Sequence, residues 1–317
     1  MRPSPERFKV DGQTCQPTVG LVIDRMDWHA RQVVAALTAR GFGVAPIRLH
    51  LCGFATPSAS AMQIDGFAGK LPAAVIVRSM SGGTFEAVTL RLGILHAMRE
   101  RGVLVWNDAR AIERCVDKSM TSFLLAQAGI ATPPTWATGS YDRARAIAQE
   151  ETKNAALVLK PLFGSQGRGL RLIRKADDLP PANDVAGGVY YLQRFVAVER
   201  DGFHDFRLFI VHGRVVAAMQ RSSTHWITNV KRGGRPLAAL VNDEMTALAT
   251  RAAIVVGADF AGVDILYGAD HRPTVLEVNS MPAWAGLQKV TSLNIAGALV
   301  AAFTDALAAR ALRGAKA

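Results

Sequence analysis

Cysteine is scarce in this chain: Cys15, Cys52 and Cys115 are the only three among 317 residues, with no CxxC and no paired spacing. That excludes a disulfide framework, argues against a structural zinc site and fits a reducing compartment. Long apolar runs are missing too. The stretch from Ile295 to Phe303 ends after nine residues at Thr304 and Asp305, where a bilayer needs about 20. Met1 to Arg7 carry no apolar segment of the kind a secretory signal has, so a cytoplasmic location with no membrane partner is expected. The sequence also lacks HExxH, GxSxG and the Walker pattern GxxxxGK[ST], which removes zincin, serine-elbow and P-loop chemistry. After the first apolar strand it reads Asp24-Arg25-Met26-Asp27, not GxGxxG, so a Rossmann dinucleotide site fails there.

Half the residues are hydrophobic and 20% are charged, a globular composition on a chain long enough for about two ordinary domains. The net charge of +11 calls for an anionic partner. No zinc knuckle, stacking aromatic motif or basic helix accompanies it, so nucleic acid is not expected.

Strand-like runs at Thr18–Ile23, Val44–Leu49, Ala73–Val77 and Val103–Trp106 alternate with helical segments, which predicts a parallel α/β layer over residues 1–112. Asp117 to Gly129 reads as a helix with an acidic cap and a glycine stop. Leu157–Lys160 is a strand running into a glycine loop. Further strands fall at Val189–Leu192, Arg207–Val211 and Val215–Gln220, with a helix at Asp243–Val256. The division expected is 1–112, 113–192 and 193–317.

Three patterns carry chemistry. Gly262-Val263-Asp264 and Glu277-Val278-Asn279 flank the turn-prone segment 268–273. A hairpin symmetric about that turn sets Asp264 opposite Glu277, with Asn279 on the same face. Opposed carboxylates repel unless a cation lies between them, and oxygen-only donors favour a hard ion such as Mg²⁺. A hairpin with a polar solvent face fits the same letters. Lys160-Pro161-Leu162-Phe163-Gly164-Ser165-Gln166-Gly167-Arg168-Gly169 can turn backbone N–H groups toward an anion, though alone it also suits a plain turn. Residues 194–235 hold eight Arg and Lys (Arg194, Arg200, Arg207, Arg214, Arg221, Lys231, Arg232, Arg235) against Glu199, Asp201 and Asp205. Arginines suit phosphates and carboxylates. Arg221 and Arg232 bracket the uncharged stretch Ser222 to Asn229. The histidines, His204, His212 and His225 among them, show no ligand spacing, and Trp28, Trp136, Trp226 and Trp284 read as core or pocket walls.

The order of these parts, with Asp117-Lys118, Leu192-Gln193-Arg194-Phe195-Val196, Asp205-Phe206-Arg207, His225-Trp226-Ile227-Thr228-Asn229 and Arg232-Gly233-Gly234 between them, resembles the RimK-type ATP-grasp ligases over residues 105–300. LysX-type ligases are similar. The resemblance implies an α/β (α+β) ATP-grasp fold, in which an N-terminal parallel α/β domain precedes two α+β subdomains clamping ATP. It implies that Lys118 and Lys160 hold ATP phosphates under a flap made of Gly164, Ser165, Gln166 and Gly167. Arg194 and Phe195 then form the hinge at adenine, Asp205 lies on the ribose side, and Thr228 and Asn229 contact ATP. Asp264, Glu277 and Asn279 match ligands of Mg²⁺ or Mn²⁺, with two ions expected, while Arg221 and Arg232 face the phosphoryl group and acyl phosphate. The hinge departs from the pattern, which is often acidic where Arg194 stands. Asp27-Trp28-His29, Arg78, Ser81-Gly82-Gly83-Thr84 and Asn107 to Arg114 resemble RimK-type ligases of methylotrophs that glutamylate a pterin precursor. The expected activity is ATP-dependent joining of an amino acid, L-glutamate first, to a small-molecule carboxylate by a homo-oligomer, dimer or tetramer. The alternatives are a LysX-like amino-acid or carrier-protein ligase and a catalytically silent ATP-binding protein.

Overall fold

A computed structural model of the chain describes residues 17–164, 166–196, 202–268 and 271–314. Ser165, Cys15, Glu199, Arg200 and Asp201 lie outside the described residues. The strands are β1 (Thr18–Val22), β2 (Gly43–Ile47), β3 (Gly53–Phe54), β4 (Met62–Gln63), β5 (Ala74–Val77), β6 (Leu104–Trp106), β7 (Thr135–Thr138), β8 (Leu157–Lys160), β9 (Arg171–Ile173), β10 (Tyr190–Arg194), β11 (Phe203–Val211), β12 (Arg214–Ser223), β13 (Arg235–Ala238), β14 (Phe260–Tyr267) and β15 (Pro273–Asn279). The helices are α1 (Trp28–Thr38), α2 (Phe85–Glu100), α3 (Ala109–Val116), α4 (Lys118–Gln127), α5 (Tyr141–Glu151), α6 (Asp243–Val256), α7 (Ala285–Gln288) and α8 (Ile295–Gly314).

The chain packs as two units. Of the described residues, one gathers those up to Ala109 with those from Asn294; the other holds those of Arg110–Leu293. The sequence division had placed residues 294–317 with the Asp264–Asn279 hairpin. Instead α8 packs on α1, and its Phe303 ring meets Trp106 edge-on. An apolar helix takes the side where its face finds a buried partner, which spacing along the chain does not reveal. In length and composition α8 would also suffice to cross a membrane.

The first unit is built on a parallel sheet of order β2-β1-β5-β6. Gly20 has no room for a side chain, since a Cβ there would lie 2.4 Å from Ile47 Cδ1 and 2.8 Å from Val75 Cγ1. Asp27 caps α1 by accepting from the Ala30 amide at 2.8 Å. A carboxylate therefore holds the helix N-terminus that a dinucleotide site would leave for pyrophosphate.

The second unit holds two antiparallel sheets, β7-β10-β8-β9 and β13-β12-β11-β14-β15. Helix α5 covers the first through Ala144 and Ala148, packed on Leu157, Leu159, Ile173 and Leu192. Helix α6 covers one face of the second. Its buried residues, Met245, Ala249, Ala252, Ala253 and Val256, recur at helical spacing, and the alanines admit the close approach of Leu208, Ile210, Val263, Ile265, Val275 and Val278. Asn242 caps its start and Gly257, at φ +78°, ends it. The alternation of strands leaves the opposite face of this sheet to Asp205, Arg207, Arg221, Asp264 and Glu277.

Cys52 and Cys115 are free thiols. Burial pushes Cys115 up to about 12, so it stays protonated and inert at neutral pH. Leu208 is fully buried between the sheet and α6. Leu208→Ala should lower stability by about 2–5 kcal/mol, read from the urea midpoint; a loss below about 1 kcal/mol would contradict this core.

Candidate active site

The polar face of the five-stranded sheet is organised by register. Arg207 on β11 pairs with Asp264 on β14, and Asp264 pairs with Glu277 on β15. The hairpin expectation thus holds for that pair. The register slips by one between Asp264 and Ile265, leaving Leu276 as a bulge. The bulge keeps Val275 and Val278 in the core while Glu277 and Asn279 share the polar face. Gly262, opposite Asn279, has no room for a side chain, since a Cβ there would lie 2.9 Å from Pro282 Cβ.

Two arginines meet the acids. Arg207 donates from Nε and Nη2 to both oxygens of Asp264, each at 2.6 Å, and lies 3.8 Å from Glu277 Oε1. Arg221 donates from Nε to Asp205 Oδ1 at 2.7 Å, from Nη2 to Asp205 Oδ2, and lies 2.9 Å from Asp264 Oδ2. Asp205, Arg221 and Asp264 are all buried, whereas the Glu277 side chain is 30% exposed. Burial pushes the Asp264 carboxyl up, but the guanidiniums of Arg207 and Arg221 outweigh this and hold it well below the usual carboxylate range. Burial likewise pulls Arg221 down, and Asp264 and Asp205 more than restore it, so it stays charged. Asn279 Nδ2 donates to Glu277 Oε1 at 3.1 Å.

Facing these groups are two lysines. Lys118 opens α4 behind Asp117, whose carboxylate caps the helix. Its Nζ donates to the carbonyls of Leu162 at 3.2 Å and Gly164 at 2.9 Å. Lys160 closes β8 and donates to Gln193 Oε1 at 2.6 Å. Burial lowers both ammonium groups, partly opposed by the charge of Glu277.

The glycine loop runs back over this space. Gln166, Gly167 and Gly169 have φ of +64°, +67° and +71°. A Cβ on Gly167 would lie 2.7 Å from both Asn229 Oδ1 and Ile227 Cγ2, so only glycine seats the loop on the 227–229 segment. Arg232 Nη2 donates to the Gly167 carbonyl at 3.1 Å. The loop therefore turns carbonyls, not only N–H groups, toward cations: Lys118 on one side and Arg232 on the other.

One cleft is lined by Lys118, Lys160, Gly164, Gln166, Gly167, Arg194, Phe195, Asp205, Arg221, Thr228, Asn229, Asp264 and Glu277. Asn279 sits against Glu277 and Arg232 against the loop. The cleft also has apolar walls from Val158, Leu170, Phe203, Ile227, Leu266 and Leu276, and Trp226 stands edge-on to Phe195 with ring centroids 6.0 Å apart. Trp284 is instead a core residue beside Phe209.

Three expectations change in detail. Asp205 gives both oxygens a bond to Arg221, a buried partner that the resemblance did not indicate. The amides of Arg194 and Phe195 donate to the carbonyls of Pro134 at 2.9 Å and Ala156 at 2.8 Å, so of the hinge backbone these two N–H groups are already engaged. The Arg194 side chain pairs with Glu151, away from a hinge role of its own. Two residues not picked out as site residues, Arg207 and Gln193, contact the acids and Lys160. Their signal was alternation: Arg207 lies two residues from Asp205, and Gln193 is a polar residue in the buried strand β10.

Comparison with known proteins agrees with this architecture. An ATP-grasp ligase, PsnB, solved with its minimal precursor, superposes with a TM-score of 0.68 at 25% identity, covering 93% of this chain and 99% of that one. The fold is that of the ATP-grasp ligases. Residues 115–303 match the RimK-like ATP-grasp domain. The tetrahydromethanopterin:alpha-L-glutamate ligase of Methanosarcina acetivorans is 30% identical over 87% of this chain and 95% of its own length. A probable alpha-L-glutamate ligase of Hahella chejuensis is 33% identical over 68% of this chain and 75% of its own. The chain belongs to the RimK-like ATP-grasp family, and its class is that of the ATP-dependent ligases.

Breaking a buried pair by removing one partner costs about 3–5 kcal/mol. Asp205→Ala should therefore destabilise the protein by that order in urea denaturation, leaving Arg221 with Asp264 alone. A loss under about 1 kcal/mol would mean that Asp205 does not hold Arg221.

Proposed function

We propose that this protein is an ADP-forming carboxylate–amine ligase that joins L-glutamate to the carboxylate of a reduced-pterin acceptor of the tetrahydromethanopterin kind. The observation that carries the reading is the shared cleft in which Lys118 and Lys160 face the acid row Asp264–Glu277. Support for the substrates comes from the relative that matches nearly its whole length and bears that name.

ATP would lie with its triphosphate toward Lys118 and Lys160 and its base between Phe195, Trp226 and the apolar walls. Asp264, Glu277 and the Asn279 amide oxygen form an all-oxygen donor set that fits a hard divalent cation, Mg²⁺ or Mn²⁺. Such an ion supplies charge neutralisation at the phosphate oxygens. Carboxylate and phosphate repel, so positive side chains and positioning carry most of the catalysis. An oxygen of the acceptor carboxylate attacks the γ-phosphorus; the bond to the bridging oxygen breaks, releasing ADP and leaving an acyl phosphate. The glutamate nitrogen then attacks the acyl carbon, phosphate departs with the electron pair of the C–O bond, and the amine proton passes to phosphate or water. In this reading Arg221 and Arg232 would face the phosphoryl group, and the glycine loop would exclude water that hydrolyses the acyl phosphate. The reading includes a cytoplasmic homo-oligomer, dimer or tetramer.

With ATP, Mg²⁺, L-glutamate and a tetrahydromethanopterin acceptor, ADP release should accompany a product heavier by one glutamyl residue. ADP release without an amide product across pterin, small-acid and peptide acceptors would overturn the ligase reading. Glu277→Gln should cut turnover by about a hundredfold or more with an unchanged unfolding midpoint, because Glu277 is partly exposed; Asp264 also anchors two arginines and is the poorer probe. Full activity in Glu277→Gln would remove the cation assignment.

A further inference from the structure

We propose that Gln193 is a positioning residue, a buried neutral acceptor that aims the Lys160 ammonium at the nucleotide phosphates without cancelling its charge. The inference rests on reading the cleft as a nucleotide site.

The geometry allows the amide one orientation. Lys160 Nζ, which can only donate, lies 2.6 Å from Gln193 Oε1. Gln193 Nε2 then faces Thr135 Oγ1 and Tyr191 OH, both at 3.4 Å. The Thr135 hydroxyl donates to the Pro133 carbonyl at 2.9 Å, which leaves its oxygen as an acceptor, and Tyr191 OH shares a hydrogen bond with Ser122 Oγ at 2.9 Å. Turning the amide over would set Nε2 against an ammonium group. Strand pairing fixes the partners, since Tyr191 lies opposite Lys160 and Gln193 opposite Val158. Gln193 is 2% exposed and Tyr191 1%, so solvent cannot replace these bonds.

Neutrality matters as much as geometry. Among the described residues no carboxylate comes within ion-pair distance of Lys160. Its charged surroundings are Glu277 on β15, Asp264 on β14 and Lys118 on α4, with the Tyr191 phenol beside it on β10. Arg207 and Arg221 already answer Asp264, so the lysines keep positive charge for a polyanion. A glutamate at position 193 would hold Lys160 equally well but make a buried ion pair that opposes a triphosphate.

Two variants separate these contributions: Gln193→Met removes the acceptor, and Gln193→Glu keeps it and adds charge. Binding of a β,γ-imido ATP analogue with Mg²⁺ is titrated calorimetrically from about pH 6 to pH 10, the range below the ordinary lysine pKa. Both variants should bind about tenfold more weakly near neutrality. Affinity should fall with rising pH as Lys160 loses its proton. That fall should begin at lower pH than in the wild type for Gln193→Met, where burial goes unanswered, and at higher pH for Gln193→Glu, where a carboxylate stabilises the ammonium. Wild-type affinity in both variants, or weaker binding with the pH limb unmoved, would overturn the inference. A wild-type protein that does not bind the analogue at all would instead overturn the reading of the cleft, and this inference with it.

Discussion

Two carboxylates side by side in a protein interior need a cation, and Arg207 supplies one. It grips both oxygens of Asp264 and reaches toward Glu277. Arg221 does the same between Asp264 and Asp205. Without these guanidiniums the burial of Asp264 would favour its protonation. The sheet thus stores an acid-rich face in a charge-balanced form.

The same sheet explains how one segment of chain serves both core and chemistry. Leu208, Ile210, Val263 and Ile265 anchor one face on α6, and the alternate residues of those strands carry the charges. The bulge at Leu276 lets β15 keep Val275 and Val278 in that core while presenting Glu277. On the other side of the cleft the lysines sit on rigid ends, Lys118 at a capped helix start and Lys160 at a strand terminus. Among the described residues the glycine loop is held by side-chain donors to its carbonyls and by the close seating of Gly167 on Ile227 and Asn229.

Much of this was legible in sequence because it is local. The Asp264–Glu277 pairing follows from symmetry about 268–273, and the bulge changes only the pairs nearer the turn. The helix after Asp117 announced itself through an acidic cap and a glycine stop, and β8 through an apolar run ending in Lys160. What depends on distant strands was not legible. Arg207 was one of eight cations in its stretch, and only the order β12-β11-β14-β15 sets it beside Asp264. Asp205 was assigned a sugar from resemblance, while its pairing with Arg221 follows from the β11–β12 register. The two-residue strands β3 and β4 are too short to carry any periodicity. Nothing local in the sequence of α8 showed which unit it joins.

Calorimetric titration of the wild-type protein with ADP, with and without Mg²⁺, bears most directly on the acid row as a cation cage opposite two phosphate-binding lysines. The account predicts binding that tightens markedly when Mg²⁺ is present. Equal affinity in its presence and absence, or no heat in either, would contradict it.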